Sequence, residues 1–186
     1  STVTSLYRIG IGLKDRHNLK KLIVFLEGIN AKTADEEVRE KYVAKFYSNN
    51  RLRDQELEYL LVIIDRYTTY DKPAFLAKLY LSYLDGYISW DRLIAYSIVI
   101  DRFLPGDYDT LHKSSSHTTH FNQISDSILR LISLGLLVET QGSSSLISDG
   151  RGGLMVTTTS MEREITQEKI YSRTEFGNIL ISILDY

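Results

Sequence analysis

The sequence contains no cysteine, which excludes a disulfide framework, a thiolate zinc site and a cysteine nucleophile. That absence is in keeping with a reducing compartment. Long apolar runs are missing as well. The longest unbroken one, Tyr59–Ile64, falls far short of the ~20 residues that a bilayer crossing requires. No apolar run with a small-residue cleavage site follows the start, so a secretory leader is not expected. Charge of one sign is also lacking: 22 basic against 24 acidic residues give a net charge of −2, with no general pull toward nucleic acid or anionic lipid.

What remains is ordinary for a folded chain. Hydrophobic residues make up 43% and charged residues 25% of 186 positions, which excludes wholesale disorder and fibrous rods. This length suits one domain, or one with a small appendage, and can bury a core without staples. The start is locally basic, with Arg8, Lys14, Arg16, Lys20 and Lys21 against Asp15. Two readings stand side by side. One is the cytosolic flank of a membrane anchor lying upstream of Ser1; the plainer one is a solvated helix start.

Along the first 113 residues the pattern is helical, with clear punctuation. Leu19, Leu22, Ile23, Leu26 and Ile29 form an amphipathic stripe. Thr33 with Glu36 reads as a capping box opening a helix that would bury Val38, Tyr42, Val43 and Phe46. Leu57, Leu60, Leu61 and Ile64 mark the next inward face. Asp71 reads as an N-cap ahead of Pro73, and Gly86 as the left-handed stop of that helix. Ser89 caps a further helix from Trp90 to Phe103, ended by Pro105-Gly106, and a short helix from Asp107 to Lys113 follows. Residues 1–113 are thus expected to form a multi-helix domain.

After Lys113 the composition changes. Residues 114–120, with three serines and two histidines, read as a linker. Ile124, Ile128, Leu131 and Ile132 mark a helix closed by Gly135, and Leu136–Thr140 reads as a strand. A Gly/Ser-rich run from Gly142 to Gly153 separates it from further strand-like segments at Leu154–Thr159 and Lys169–Ser172. Thr174 then N-caps a last helix carrying Phe176, Ile179, Leu180, Ile183 and Leu184. This order resembles a winged-helix module, with Ser133–Leu137 as its helix-to-strand turn and Tyr171–Gly177 as its strand-to-helix junction. The expected fold is mainly α: the helical domain 1–113, then a small winged-helix-like α+β module at 114–186.

The chain also resembles a loose group of uncharacterised bacterial and phage helical proteins with such a C-terminal module. The likeness rests on Lys14-Asp15-Arg16, Ile64-Asp65-Arg66, Asp85–Trp90, Ile100–Phe103 and Thr174–Gly177. It implies the architecture and carries no activity with it.

Candidate sites are few. His112, His117 and His120 are the imidazoles that would hold a metal, but their spacing crosses a serine-rich loop and lacks a supporting motif. Neither a metal nor a cofactor is therefore expected. No nucleophile elbow or phosphate loop is present, and Gly150–Gly153 reads as a wing tip because no helix follows it. Asp65, Asp85, Asp91 and Asp101 are the carboxylates available for acid–base work. Asp65 and Asp101 belong to a repeated phrase, Ile64–Tyr67 and Ile100–Phe103, whose Asp-Arg pairs read as helix ends leaving the core. No catalytic residue is expected.

Tyr80, Tyr83, Tyr87 and Trp90 are the interface candidates. The tyrosines fall at i, i+3 and i+7, with Leu76, Leu79 and Leu84 assigned largely to another face, so the aromatic stripe suits either a homodimer or a helix-packing surface. For nucleic acid the candidates are Asn122, Gln123, Arg130 and Arg151. Residues 114–186 nevertheless hold five basic and eight acidic groups, weak footing for a polyanion. The function expected is a non-enzymatic protein-interaction or regulatory module of the cytoplasm, bound to a protein partner or to itself, and membrane-proximal only through a missing upstream segment. The alternative is a winged-helix DNA-binding transcriptional regulator.

Overall fold

The computed structural model describes residues 2–32, 36–37, 40, 43–44, 50–115, 119–120, 125–140 and 170–185. Among them the chain is mainly α. The helices are α1 (Thr2–Lys32), α2 (Asn50–Arg66), α3 (Asp71–Leu84), α4 (Trp90–Asp101), α5 (Asp107–Lys113), α6 (Asp126–Ser133) and α7 (Glu175–Asp185). Three short strands, β1 (Thr119–His120), β2 (Leu137–Thr140) and β3 (Ile170–Arg173), form an antiparallel sheet in the order β1-β3-β2. No helix among the described residues is long and apolar enough to cross a membrane. Two compact units result, one of residues 1–104 with 179–186, the other of residues 105–178.

The first unit is organised around α3. Leu76, Ala77, Leu79, Tyr80, Leu81 and Leu84 are all buried, and together they span somewhat more than half of the helix circumference at 3.6 residues per turn, with Tyr80 among the leucines rather than opposite them. The stripe assignment therefore needs correction: no tyrosine side of α3 is left over once its leucines are buried. Helix α1 lies close along it, so close that a Cβ on Gly28 would sit 2.8 Å from the Cβ of Ala77. Helix α3 stops at Leu84, and Gly86 turns the chain with φ 78°, a conformation that side chains with a Cβ resist. Tyr87 follows that turn and lies off the helix.

Two inward faces differ from expectation. On α1, Lys21 and Phe25 are buried, whereas Leu19, Ile23 and Leu26 are exposed. At 3.6 residues per turn these two sets lie on opposite sides of the helix, so the leucine stripe faces away from the core. On α2 the buried positions are Leu60, Ile63 and Ile64, with Tyr67 just beyond, while Leu57 and Leu61 are exposed. The helix expected from Thr33 falls largely outside the described residues, and Val43, assigned to its buried face, is exposed. At α3 the N-cap is Tyr70 rather than Asp71, without a side-chain cap. Ser89 does cap α4, accepting from the Arg92 amide at 3.3 Å.

In the second unit the core is Leu111, Ile128, Leu131, Leu136, Leu137 and Tyr171. Ser125 caps α6, accepting from the Ile128 amide. β1 is a correction, since it occupies part of the stretch read as a linker. The strand expected at Leu154–Thr159 lies outside the described residues. Thr174 ties the start of α7 to the α6–β2 turn. Its hydroxyl donates to the Gly135 carbonyl at 2.7 Å and accepts from the Gly177 amide at 3.0 Å. A Cβ on Gly177 would run into the backbone of Leu136, lying 3.3 Å from its Cα and closer still to its carbonyl oxygen. Backbone cannot yield as a flexible side chain does. Gly177→Ala is therefore expected to lower stability by about 1–3 kcal/mol, read as a lowered midpoint in thermal unfolding; an unchanged midpoint would show that the contact is not tight.

Candidate functional site

Tyr80, Tyr83 and Trp90 of the interface candidates are drawn together with other aromatics inside the first unit. Phe25 and Tyr80 have ring centroids 6.2 Å apart, Tyr80 and Tyr83 6.0 Å, Tyr83 and Trp90 5.3 Å, and Tyr59 and Trp90 5.6 Å. These separations fall within the range of favourable tilted and edge contacts. The chain of rings thus joins α1, α2, α3 and the start of α4. Tyr80 is buried, Tyr83 and Trp90 are half-buried, and Tyr87 stands in solvent. Tyr83 donates to Glu56 Oε1 at 2.5 Å.

Burial pushes the Tyr83 phenol up to about 12, with the hydrogen bond and charge of Glu56 adding to it. Tyr80 and Tyr67 move in the same direction, burial again being the first cause. Among the described residues no partner meets the Tyr80 hydroxyl.

Two of the carboxylate candidates, Asp65 and Asp101, lie at contacts that join helix ends. Arg66 of the first repeated phrase donates to Asp101 Oδ2 of the second at 2.8 Å, so the two phrases clasp each other. Each phrase also receives a buried lysine. Lys21 Nζ donates to the carbonyls of Asp65 and Tyr67 at 2.7 and 3.0 Å, and Lys72 Nζ to that of Asp101 at 2.8 Å. The last carbonyls of a helix lack intrahelical donors and carry the negative end of its dipole. An ammonium group satisfies both conditions. Asn18 Nδ2 also donates to Asp65.

A groove of about 530 Å³ opens beside the turn after α3, lined by Ser82, Asp85, Gly86 and Tyr87 with Ser182 and Ile183 of α7. The Tyr87 hydroxyl lies 3.5 Å from Ser182 Oγ. Asp91, the remaining carboxylate candidate, is exposed in the first turn of α4.

Among the nucleic-acid candidates, Arg130 is engaged. Its Nε and Nη2 donate to the two oxygens of Asp107 at 2.6 and 3.0 Å, and Asp107 is fully buried. The hydrogen bonds and charge of Asp107 raise the guanidinium pKa further. Nothing in the spacing of residues 107 and 130 announces that fork-to-carboxylate pair. Asn122, Gln123 and Arg151 lie outside the described residues. His112 is exposed, with its ring 5.9 Å from that of Tyr108; His117 lies outside the described residues, and His120 stands in β1. No group of residues able to hold a metal occurs among the described ones. Comparison of the chain with protein-family models, curated proteins and solved structures returns no match.

Two outcomes follow from these contacts. Lys21→Met keeps the apolar stem but strands buried carbonyls, so it is expected to cost about 1–3 kcal/mol in urea unfolding; equal or greater stability would refute the capping role. A tyrosine whose folded pKa lies above the ordinary 10.0 contributes fully below that pH and loses its contribution as pH rises through the folded value. Stability is therefore expected to decline between pH 10 and about 12. Tyrosinate absorbance should rise later than that of a denatured sample; coincident curves would refute the burial effect.

Proposed function

We propose that the chain is a non-enzymatic protein-interaction module that acts by pairing with a second copy of itself. The observation behind this reading is the α1 stripe: Leu19, Ile23 and Leu26 are 57%, 43% and 48% exposed, on the side of the helix opposite Lys21 and Phe25. Scattered exposed leucines need no explanation, but an aligned stripe facing away from the core does. Helix α2 adds exposed Leu57, Leu61 and Val62.

Charge supports a self-partner. Arg16 and Lys20 are exposed on α1, and Asp54 and Glu58 on α2. Exposed charges of opposite sign on the two helices suit the self-complementarity that a two-fold interface demands. The four aromatic candidates contribute less than their number implies, because Tyr80 is internal and of the four only Tyr87 stands clear.

A winged-helix DNA-binding regulator is the second reading. It draws on the order of α6, β2, β3 and α7. Against it, the single basic side chain of α6 is already committed to Asp107, which removes a phosphate contact from the expected recognition helix.

Sedimentation velocity across micromolar concentrations tests the pairing. A concentration-dependent dimer is expected for the wild type, and a folded monomer for Ile23→Glu. Tyr80→Glu is expected to unfold the first unit instead of dissociating it, as circular dichroism would report. A wild type that stays monomeric at about 100 μM, weaker than the micromolar range of specific association, would overturn the reading.

A further inference from the structure

We propose that Trp90, Tyr83 and Glu56 form a radical-transfer site: a one-electron oxidant that strikes Trp90 leaves its oxidising equivalent on Tyr83, and Glu56 takes the phenol proton. Trp90 is the single tryptophan of the chain and is half-buried. Two tyrosine rings flank it, Tyr83 with its centroid at 5.3 Å and Tyr59 at 5.6 Å. Both separations bring the ring edges close to contact, so distance does not choose between the two. The partners of their hydroxyls do.

A phenol that loses an electron becomes a strong acid, so the electron leaves readily only where a base can take the proton. Tyr83 holds its proton at neutral pH, since burial and Glu56 push the phenol up to about 12. Its hydroxyl donates to Glu56 Oε1 at 2.5 Å, which puts a carboxylate oxygen within the hydrogen-bond reach that proton transfer requires. Tyr59 is placed differently. Its hydroxyl meets Ser97 Oγ at 2.7 Å, and the one hydroxyl hydrogen of Ser97 goes to the Ile94 carbonyl at 2.8 Å. Tyr59 therefore donates to a serine oxygen, which is no base at neutral pH. Tyr80 lies beyond Tyr83 at 6.0 Å, buried, with no partner for its hydroxyl among the described residues. The oxidising equivalent thus stops at Tyr83.

The balance closes within these groups and water. Trp90 gives one electron to the oxidant and its indole N–H proton to solvent. Tyr83 then passes an electron to the indolyl radical. Its O–H bond breaks, an O–H bond forms on Glu56, and the indole nitrogen recovers a proton from water. The products are intact tryptophan, a tyrosyl radical and a protonated Glu56.

Laser flash photolysis of the full chain tests the proposal, with light that tyrosine does not absorb and a dissolved cobalt(III) ammine as electron acceptor. Transient absorption distinguishes indolyl from phenoxyl radicals. Decay of the first is expected to match growth of the second, at a rate independent of protein concentration. Glu56→Gln keeps an acceptor oxygen but no base, and is expected to slow the transfer about a hundredfold. Tyr83→Phe is expected to abolish the matched growth, and Tyr59→Phe to leave the rate unchanged. A Trp90 radical that persists in the wild type would overturn the proposal. So would undiminished transfer in Glu56→Gln or Tyr83→Phe, or its loss in Tyr59→Phe. Because the rate is read within one chain, the outcome is separate from that of the α1 stripe.

Discussion

An ammonium group taken out of water has to find oxygens, and in the first unit it finds them at helix ends. Lys21 reaches the close of α2 and Lys72 the close of α4. Each contact satisfies two needs at once: the charge gains acceptors, and carbonyls without intrahelical donors gain a donor. The placement also fixes α1 rotationally. With Lys21 turned inward, Phe25 and Gly28 must follow it, and Leu19, Ile23 and Leu26 must turn outward. Much of the rest follows from that single choice of face. Phe25 meets Tyr80, Gly28 meets Ala77, and α3 is covered along that side.

Helix punctuation was readable in the sequence because it acts through neighbours. Ser89 and Thr174 bond amides three residues on, and Gly86 and Gly135 adopt positive φ at helix ends, all as their residue types imply. The rotation of α1 was not readable in this way. Apolar periodicity counts leucines and cannot register a lysine buried for its charge, so Leu19, Ile23 and Leu26 were assigned inward. The same limit applied to Leu57 and Leu61, which border the buried face of α2 without entering it. Tyr80 is legible as a helix residue, but how wide an arc of a helix its neighbours cover is a tertiary fact.

The second unit shows the corresponding limit for strands. β1 has two residues, too few for alternation to be seen, and its pairing with β3 joins residues far apart in the chain, Thr119 with Tyr171 and His120 with Ile170. The groove after α3 was legible only in part. Asp85, Gly86 and Tyr87 stood out as a turn, whereas Ser182 and Ile183 reach it from almost a hundred residues away. Arg130 illustrates how composition misleads about charge. As a letter it counts toward a basic helix, yet in the fold its charge is answered by Asp107.

The close approach of Gly28 and Ala77 has a bearing on how such a sequence can drift. Two helices at that separation share one small allotment of space, and neither position owns it. A methyl group added on α1 has room only if one is given up on α3, since the backbones on both sides are held by other contacts. Related chains that preserve this packing should therefore vary in opposite directions at these two sites, keeping their summed volume while changing its division.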